Sequence, residues 1–287
     1  MLVAELVELL EQRYPPSWAE SWDRVGLTLG EPSAEVTRIF LAVDCDPRTV
    51  EEAIAAGADF MFTHHPLLLR GVSSVAPTTY KGRVIHRMIK AGIALHTAHT
   101  NGDVANPGVS DALAARLGLL DVRPLVPIAD TGRGHGRIGR LPSAMALSDL
   151  AALVSSAVGG VRVAGPPTAA VETVAVSGGA GDAFLADAAR AGVDAYLTAD
   201  LRHHPAHEHL AGGGPLLLDV SHWASERPWL DDVAAFLRQE TGLPTIVSDV
   251  DTSPWTFVAD ALPADVPPDA LPAGVPPDDA LLEDGNS

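Results

Sequence analysis

A single cysteine, Cys45, stands in the whole 287-residue chain. One thiol cannot build a disulfide framework or a multi-cysteine zinc site, and such usage predicts a cytoplasmic compartment. Cations are scarce too: 19 Lys and Arg face 37 Asp and Glu, leaving a formal charge of −18. Seven of the negative charges (Asp260, Asp265, Asp269, Asp278, Asp279, Glu283, Asp284) lie beyond residue 259 with no Lys or Arg among them, so the body carries −11. That balance argues against nucleic-acid partners and against attraction to anionic membranes. No apolar run reaches the ~18 residues of a membrane span. The N-terminus, with Glu5, Glu8 and Glu11 among its apolar residues, does not read as a signal peptide. What is abundant is apolar residues, 47% of the chain, enough for a sizeable core and, at this length, for two domains.

Leu2, Val3, Leu6, Val7, Leu9 and Leu10 recur at helical spacing, and Pro15-Pro16 ends the pattern. Short apolar runs then alternate with helical patterns. Strands are expected at 38–43, 59–63 and 93–96, and helices after the Asp46-Pro47 cap, at 81–91 and at 109–117. After the glycine-rich break Thr131-Gly-Arg-Gly-His-Gly136 the alternation restarts. Strands are expected at 136–140, 161–164, 173–177, 195–198 and 216–220, and helices at 144–156, 182–191 and 228–239, with short strands at 245–247 and 255–258. The fold class is α/β: two α/β domains with mixed or mostly parallel sheets. Residues 1–127 with 216–258 form a metal-binding domain and 128–215 a second one. The acidic, Pro-rich segment 259–287 reads as a disordered tail.

Three segments concentrate metal-ligand chemistry: Thr63-His64-His65-Pro66, His99-Thr100-Asn101-Gly102-Asp103 and His222-Trp223-Ala224-Ser225-Glu226. Each closely follows an expected strand, and in open α/β sheets ligands bind beyond the carboxyl ends of strands. Pro66 biases His65 toward an extended backbone, in which neighbouring side chains diverge. Diverging imidazoles suit two ions better than one. Pro228 argues that the late helix starts near Ser225, leaving His222 at a strand end and Glu226 in the first helical turn. His64, His65, His222, Asp103 and Glu226 give three imidazoles and two carboxylates, too many for one open tetrahedral site. A metal pair with one carboxylate bridging fits better, and His99 is in reach as a ligand or as a partner to one.

The segments Trp22–Gly30 (WDRVGLTLG), Thr63–Leu68 (THHPLL), His99–Asp103, Thr198–His204 (TADLRHH) and Ser221–Pro228 (SHWASERP) occur in an order that resembles the Nif-three-like dinuclear metal-centre proteins. Members of that family carry the name GTP cyclohydrolase I type 2 homologue. The resemblance runs from residue 1 to about residue 258. It implies a metal cleft between two domains, assembly as a toroidal homo-hexamer (a trimer of dimers), and two divalent ions per subunit held by His64, His65, Asp103, His222 and Glu226, with Glu226 as the bridge. Asp200 and His204 match family positions facing the cleft. Arg24, Gly102, Ser221 and Trp223 depart from the family pattern without removing a ligand, and the chain has no room for the extra middle domain of longer relatives.

Other polar residues read more plainly. His207 and His209 are surface histidines, His86 is solvated, His96 is packing or a partner to a ligand, and Cys45 is inert. Asp44 either orients an imidazole or caps a helix. Two functions follow. In the first, the protein is a metal-dependent hydrolase, cyclohydrolase or phosphohydrolase, acting on a nucleotide-like small molecule, with Glu226, His99 and His204 as catalytic residues. Arg70, Arg202 or Arg227 would then offset substrate phosphates. The alternative is a non-enzymatic ring that stores or delivers metal or regulates a partner. Imidazole and carboxylate ligands accept zinc, iron, manganese or nickel.

Overall fold

The apolar runs IFLA, FMFT and ALHT form the buried centre of one sheet. The structure, a computed structural model, describes residues 1–129 and 131–256. The segment 259–287 therefore lies outside the described residues. Met1–Ser253 is one compact unit.

The first part of the chain contains α1 (Val3–Arg13), β1 (Gly26–Leu29), β2 (Ile39–Ala42), α2 (Pro47–Ala55), β3 (Phe60–Thr63), α3 (Tyr80–Ala91), β4 (Ala94–Thr97), α4 (Thr100–Asp103) and α5 (Val109–Arg116). There follow β5 (Leu120–Pro127), β6 (Gly134–Ala146), α6 (Leu147–Val158), β7 (Val161–Ala164), β8 (Ala170–Ala180), α7 (Leu185–Ala191), β9 (Ala195–Ala199), α8 (His203–Ala211), β10 (Leu216–Val220), α9 (His222–Thr241) and β11 (Thr245–Val247). The five-stranded sheet has the order β1-β4-β3-β2-β11, parallel except for β1. The six-stranded sheet has the order β5-β6-β8-β9-β10-β7, with β8, β9 and β10 parallel and the rest antiparallel. The fold is thus α/β with two mixed sheets.

Two helices connect the sheets. In α5, Val109 and Ala112 join the core of the first sheet, while Leu113, Ala114 and Leu117 at its end join that of the second. A helix apolar on both sides is one buried between two layers. Asp111 on the same helix accepts Nε and Nη2 of Arg137 on β6 at 2.7 and 2.6 Å, and the guanidinium also donates to the carbonyls of Gly134 and Gly136. Arg137 is only 1% exposed, so this fork is a buried ion pair whose donors are satisfied. From α9, Trp229, Leu230, Val233 and Leu237 pack under the first sheet.

The structure departs from the sequence expectation in several places, four of which bear on the site and its sheets. Leu120–Pro127 and Leu216–Val220 pair in the second sheet, not with the elements of the first. Residues 144–146, expected to open a helix, end β6 instead, where Met145 and Ala146 pair with Val171 and Ala170. Residues 255 and 256 form no strand, and 257–258 lie outside the described residues. Finally, α9 begins at His222, with Pro228 inside it. Ser221 caps the helix and the Ser225 hydroxyl donates to the His222 carbonyl at 2.7 Å, while Trp229 and Leu230 are anchored in the core. Capping and burial together outweigh the one backbone bond that proline removes.

Candidate metal centre

Each histidine of the candidate site leaves a strand or opens a helix at the same end of the molecule. His64 and His65 directly follow β3, His99 follows β4, and Asp103 ends the single turn of α4. His222 and Glu226 sit one turn apart on α9, the i, i+4 spacing that points both side chains the same way. Had the helix started at Ser225, that alignment would be lost.

The five expected ligands meet. His64 Nε2 lies 3.3 Å from Glu226 Oε1 and 3.6 Å from Asp103 Oδ1. His65 Nε2 lies 3.1 Å from Glu226 Oε2, and His222 Nε2 lies 3.0 Å from Oε1. The adjacent imidazoles therefore reach opposite oxygens of one carboxylate. Donor atoms form two tight groups that share a ring, His64 with His65 and His99, and His65 with His222 and Glu226. His204 does not join them. It is exposed on α8, edge-on to His203 at 5.1 Å between ring centroids.

A second layer fixes the rings. His64 Nδ1 faces the Ala98 carbonyl at 3.0 Å, His65 Nδ1 faces Asp44 at 2.8 Å, His99 Nδ1 faces Asp23 at 2.9 Å, and His222 Nδ1 faces Asp200 at 2.7 Å. Carbonyls and carboxylates only accept, so each Nδ1 carries the proton and each Nε2 is left to bind toward the centre. Asp44 thus orients an imidazole, held in turn by the Thr252 hydroxyl, while Asp46 is the residue that caps α2. Asp23 also accepts from the backbone and hydroxyl of Thr100 at 3.0 and 2.6 Å. Nothing local in the sequence marks this role. Asp200 holds a φ of +58°, a left-handed backbone that costs a non-glycine residue energy and recurs where a side chain must be aimed.

Charge is concentrated here. Burial would raise the Glu226 carboxyl, but the imidazoles of His65, His64 and His222 hold it well below the usual carboxylate range. Burial would lower His222, yet Glu226 and Asp200 hold it up to about 9. Burial likewise opposes the charged form of His65, which Glu226 and Asp44 override, raising it well above the ordinary value. Burial raises Asp103. His64 Nε2 and Glu226 Oε2 are buried with no hydrogen-bond partner. Buried atoms of that kind, aimed at one point by an imidazole and carboxylate set, fit a borderline divalent cation.

Two glycines make room. A Cβ on Gly179, whose φ is +67°, would lie 2.5 Å from Glu226 Oε1. A Cβ on Gly102 would lie 2.7 Å from the Trp229 indole, which explains the small residue before Asp103. The remaining expected residues take other places. His96 is buried and stacked on Phe60 and Phe62, and burial lowers it to about 4. Cys45 is buried, its thiol pushed up to about 12 by burial and by Asp46 and Asp44. Arg202 is paired with Asp182, and Arg227 with Asp231 and Asp249, so neither is held ready for a phosphate. No helix among the described residues is long and apolar enough to cross a membrane.

The chain is similar in sequence and fold to several known proteins. A Streptomyces coelicolor protein named GTP cyclohydrolase 1 type 2 homolog is 49% identical over 266 residues, spanning 88% of this chain and 93% of its own. A Mycobacterium bovis protein of the same name is 35% identical over an alignment of 367 positions, spanning 88% of this chain and 96% of its own. A Staphylococcus aureus crystal structure superposes with a TM-score of 0.84 at 28% identity, covering 90% of this chain and 99% of that one. The family profile Duf34/NIF3 (NGG1p interacting factor 3) matches residues 1–254, and the chain belongs to that family.

Proposed function

We propose that the chain binds two divalent metal ions through His64, His65, Asp103, His222 and Glu226, and acts as a metal-dependent hydrolase on a nucleotide-like small molecule, as the name borne by its relatives suggests. The observation that carries this reading is Glu226. Its side chain is 3% exposed, and its two oxygens face different imidazoles, Oε1 toward His64 and His222 and Oε2 toward His65. A carboxylate so placed suits a bridge between ions ~3.5–4 Å apart.

Bound ions would supply Lewis acidity and a water made nucleophilic at neutral pH. The chain's own residues supply position and proton transfer. Asp44, Asp200 and the Ala98 carbonyl hold three imidazoles in the ligating tautomer. Asp23 does the same for His99, whose Nε2 is then free to accept a proton from a reacting group or to complete the ligand shell. His204 has no part in this scheme. The chain would work as a homo-hexamer, and native mass spectrometry tests that.

Metal analysis of the purified protein and a substrate panel of nucleobases, nucleosides and nucleotides test the reading together. The expected result is about two ions per chain and turnover abolished by Glu226→Gln. Two ions without turnover on any panel member would favour the metal-storing or metal-delivering ring, and fewer than one ion per chain would remove the basis for both.

A further inference from the structure

The cavity over the cluster has about 340 Å³, and its wall carries two features besides the proposed ligands. One is aromatic surface. Trp22 lines the cavity with 54% of its surface exposed, and its indole meets the His99 ring edge-on at 6.0 Å. Phe184 and His135 also line it, stacked on one another at 5.2 Å with their planes 27° apart. The other property is charge. Apart from the proposed ligands Asp103, His222 and Glu226, the ionisable residues of this wall are Glu20, His99 and His135; no Lys or Arg lines it among the described residues.

We infer that this cavity takes a planar, phosphate-free N-heterocycle stacked against Trp22 or the Phe184–His135 pair, and not a nucleoside triphosphate. The inference rests on the cavity being the substrate pocket of the proposed centre. Exposed rings bind flat heterocycles through their faces, each stack being worth a measurable factor in affinity. A triphosphate is instead recognised by guanidinium forks, lysines or glycine-rich backbone cradles. Here, outside the ions that Asp103, His222 and Glu226 would hold, a triphosphate would find no guanidinium or ammonium group and would meet the Glu20 carboxylate. An aromatic wall without basic side chains favours an uncharged or cationic ring over a polyanion.

Calorimetric titration of the full-length protein with guanosine, 7-methylguanosine and GTP tests this, with the protein both metal-free and metal-loaded. Both nucleosides are expected to bind in either state, the cationic 7-methylguanosine more tightly. GTP is expected to bind the metal-free protein more weakly than guanosine. Trp22→Leu or Phe184→Leu is expected to weaken nucleoside binding by roughly tenfold, with melting curves confirming that each variant is folded. Three results would overturn the inference: GTP binding the metal-free protein more tightly than guanosine, no nucleoside binding at millimolar concentration, or both variants binding as wild type does. A chain that binds nucleosides but holds no metal would refute the metal-centre reading alone. A chain holding two ions but indifferent to nucleosides would refute this inference alone.

Discussion

His65 Nε2 and His222 Nε2 stand 3.3 Å apart, although 157 positions separate the two residues in sequence. Both rings point their other nitrogen at a carboxylate, and the surrounding carboxylates raise both above the ordinary histidine value, His222 up to about 9. A cation entering between them must displace the protons those carboxylates favour. Metal binding at pH 7.5 is therefore expected to release protons, with less release as the pH passes 9. Calorimetry in buffers of different ionisation enthalpy measures this, and release near zero at pH 7.5 would contradict it.

The same groups set the stability of the metal-free protein. His65 and His222 have folded-state values above their unfolded ones, so their contribution is complete below the ordinary histidine range and is lost as pH rises, for His222 through about 9. Glu226 is shifted the opposite way, and its contribution is lost as pH falls below the ordinary carboxylate range. The Tm of chelator-treated protein is expected to fall from pH 6.5 to pH 9, and saturating metal to flatten that slope. A metal-free Tm that climbs over this interval would refute the assignment.

Asp200→Asn separates aim from fold. Asparagine tolerates the left-handed backbone that Asp200 occupies, so the variant is expected to melt close to wild type when metal-free. Without the Asp200 carboxylate, His222 Nδ1 loses the acceptor that orients its ring, and metal affinity is expected to drop about 10–100-fold. Competition against a chromogenic chelator reads this out.

Gly102 and Trp229 form a small-to-large pair beside Asp103. Gly102→Ala is expected to destabilise by about 1–3 kcal/mol through overpacking, because the added carbon meets the indole at 2.7 Å. Combining it with Trp229→Phe is expected to recover part of the loss, giving a coupling measurable in a double-mutant cycle by urea unfolding. Strict additivity would mean that the two positions do not share the space.

Asp111→Ala strands a buried guanidinium and is expected to cost about 3–5 kcal/mol in chemical denaturation. Replacing both partners, Arg137→Met with Asp111→Leu, is expected to cost less than that single change.

The chemistry of the site was legible from position: His64, His65 and His99 closely follow parallel strands, so topology alone carries them to one end of a sheet. Position relative to a proline misled. The rule that Pro228 excludes an earlier helix start is sound for an isolated helix, but the Ser221 cap and the buried Trp229 decide otherwise here. Strand β5 went unseen because its prolines and exposed residues give no periodic pattern, and it lies on a sheet edge, where proline is tolerated. Asp23 could not be found by spacing at all. Its partner His99 is 76 residues away, and only the closed fold makes them neighbours.

Because α5 gives Val109 and Ala112 to one core and Leu113 and Ala114 to the other, neither layer can melt without opening the other to water. Heating chelated protein is thus expected to produce a single calorimetric peak whose van't Hoff and measured enthalpies agree, the mark of one cooperative block. Two resolved peaks would mean that this shared helix joins the layers without making them interdependent.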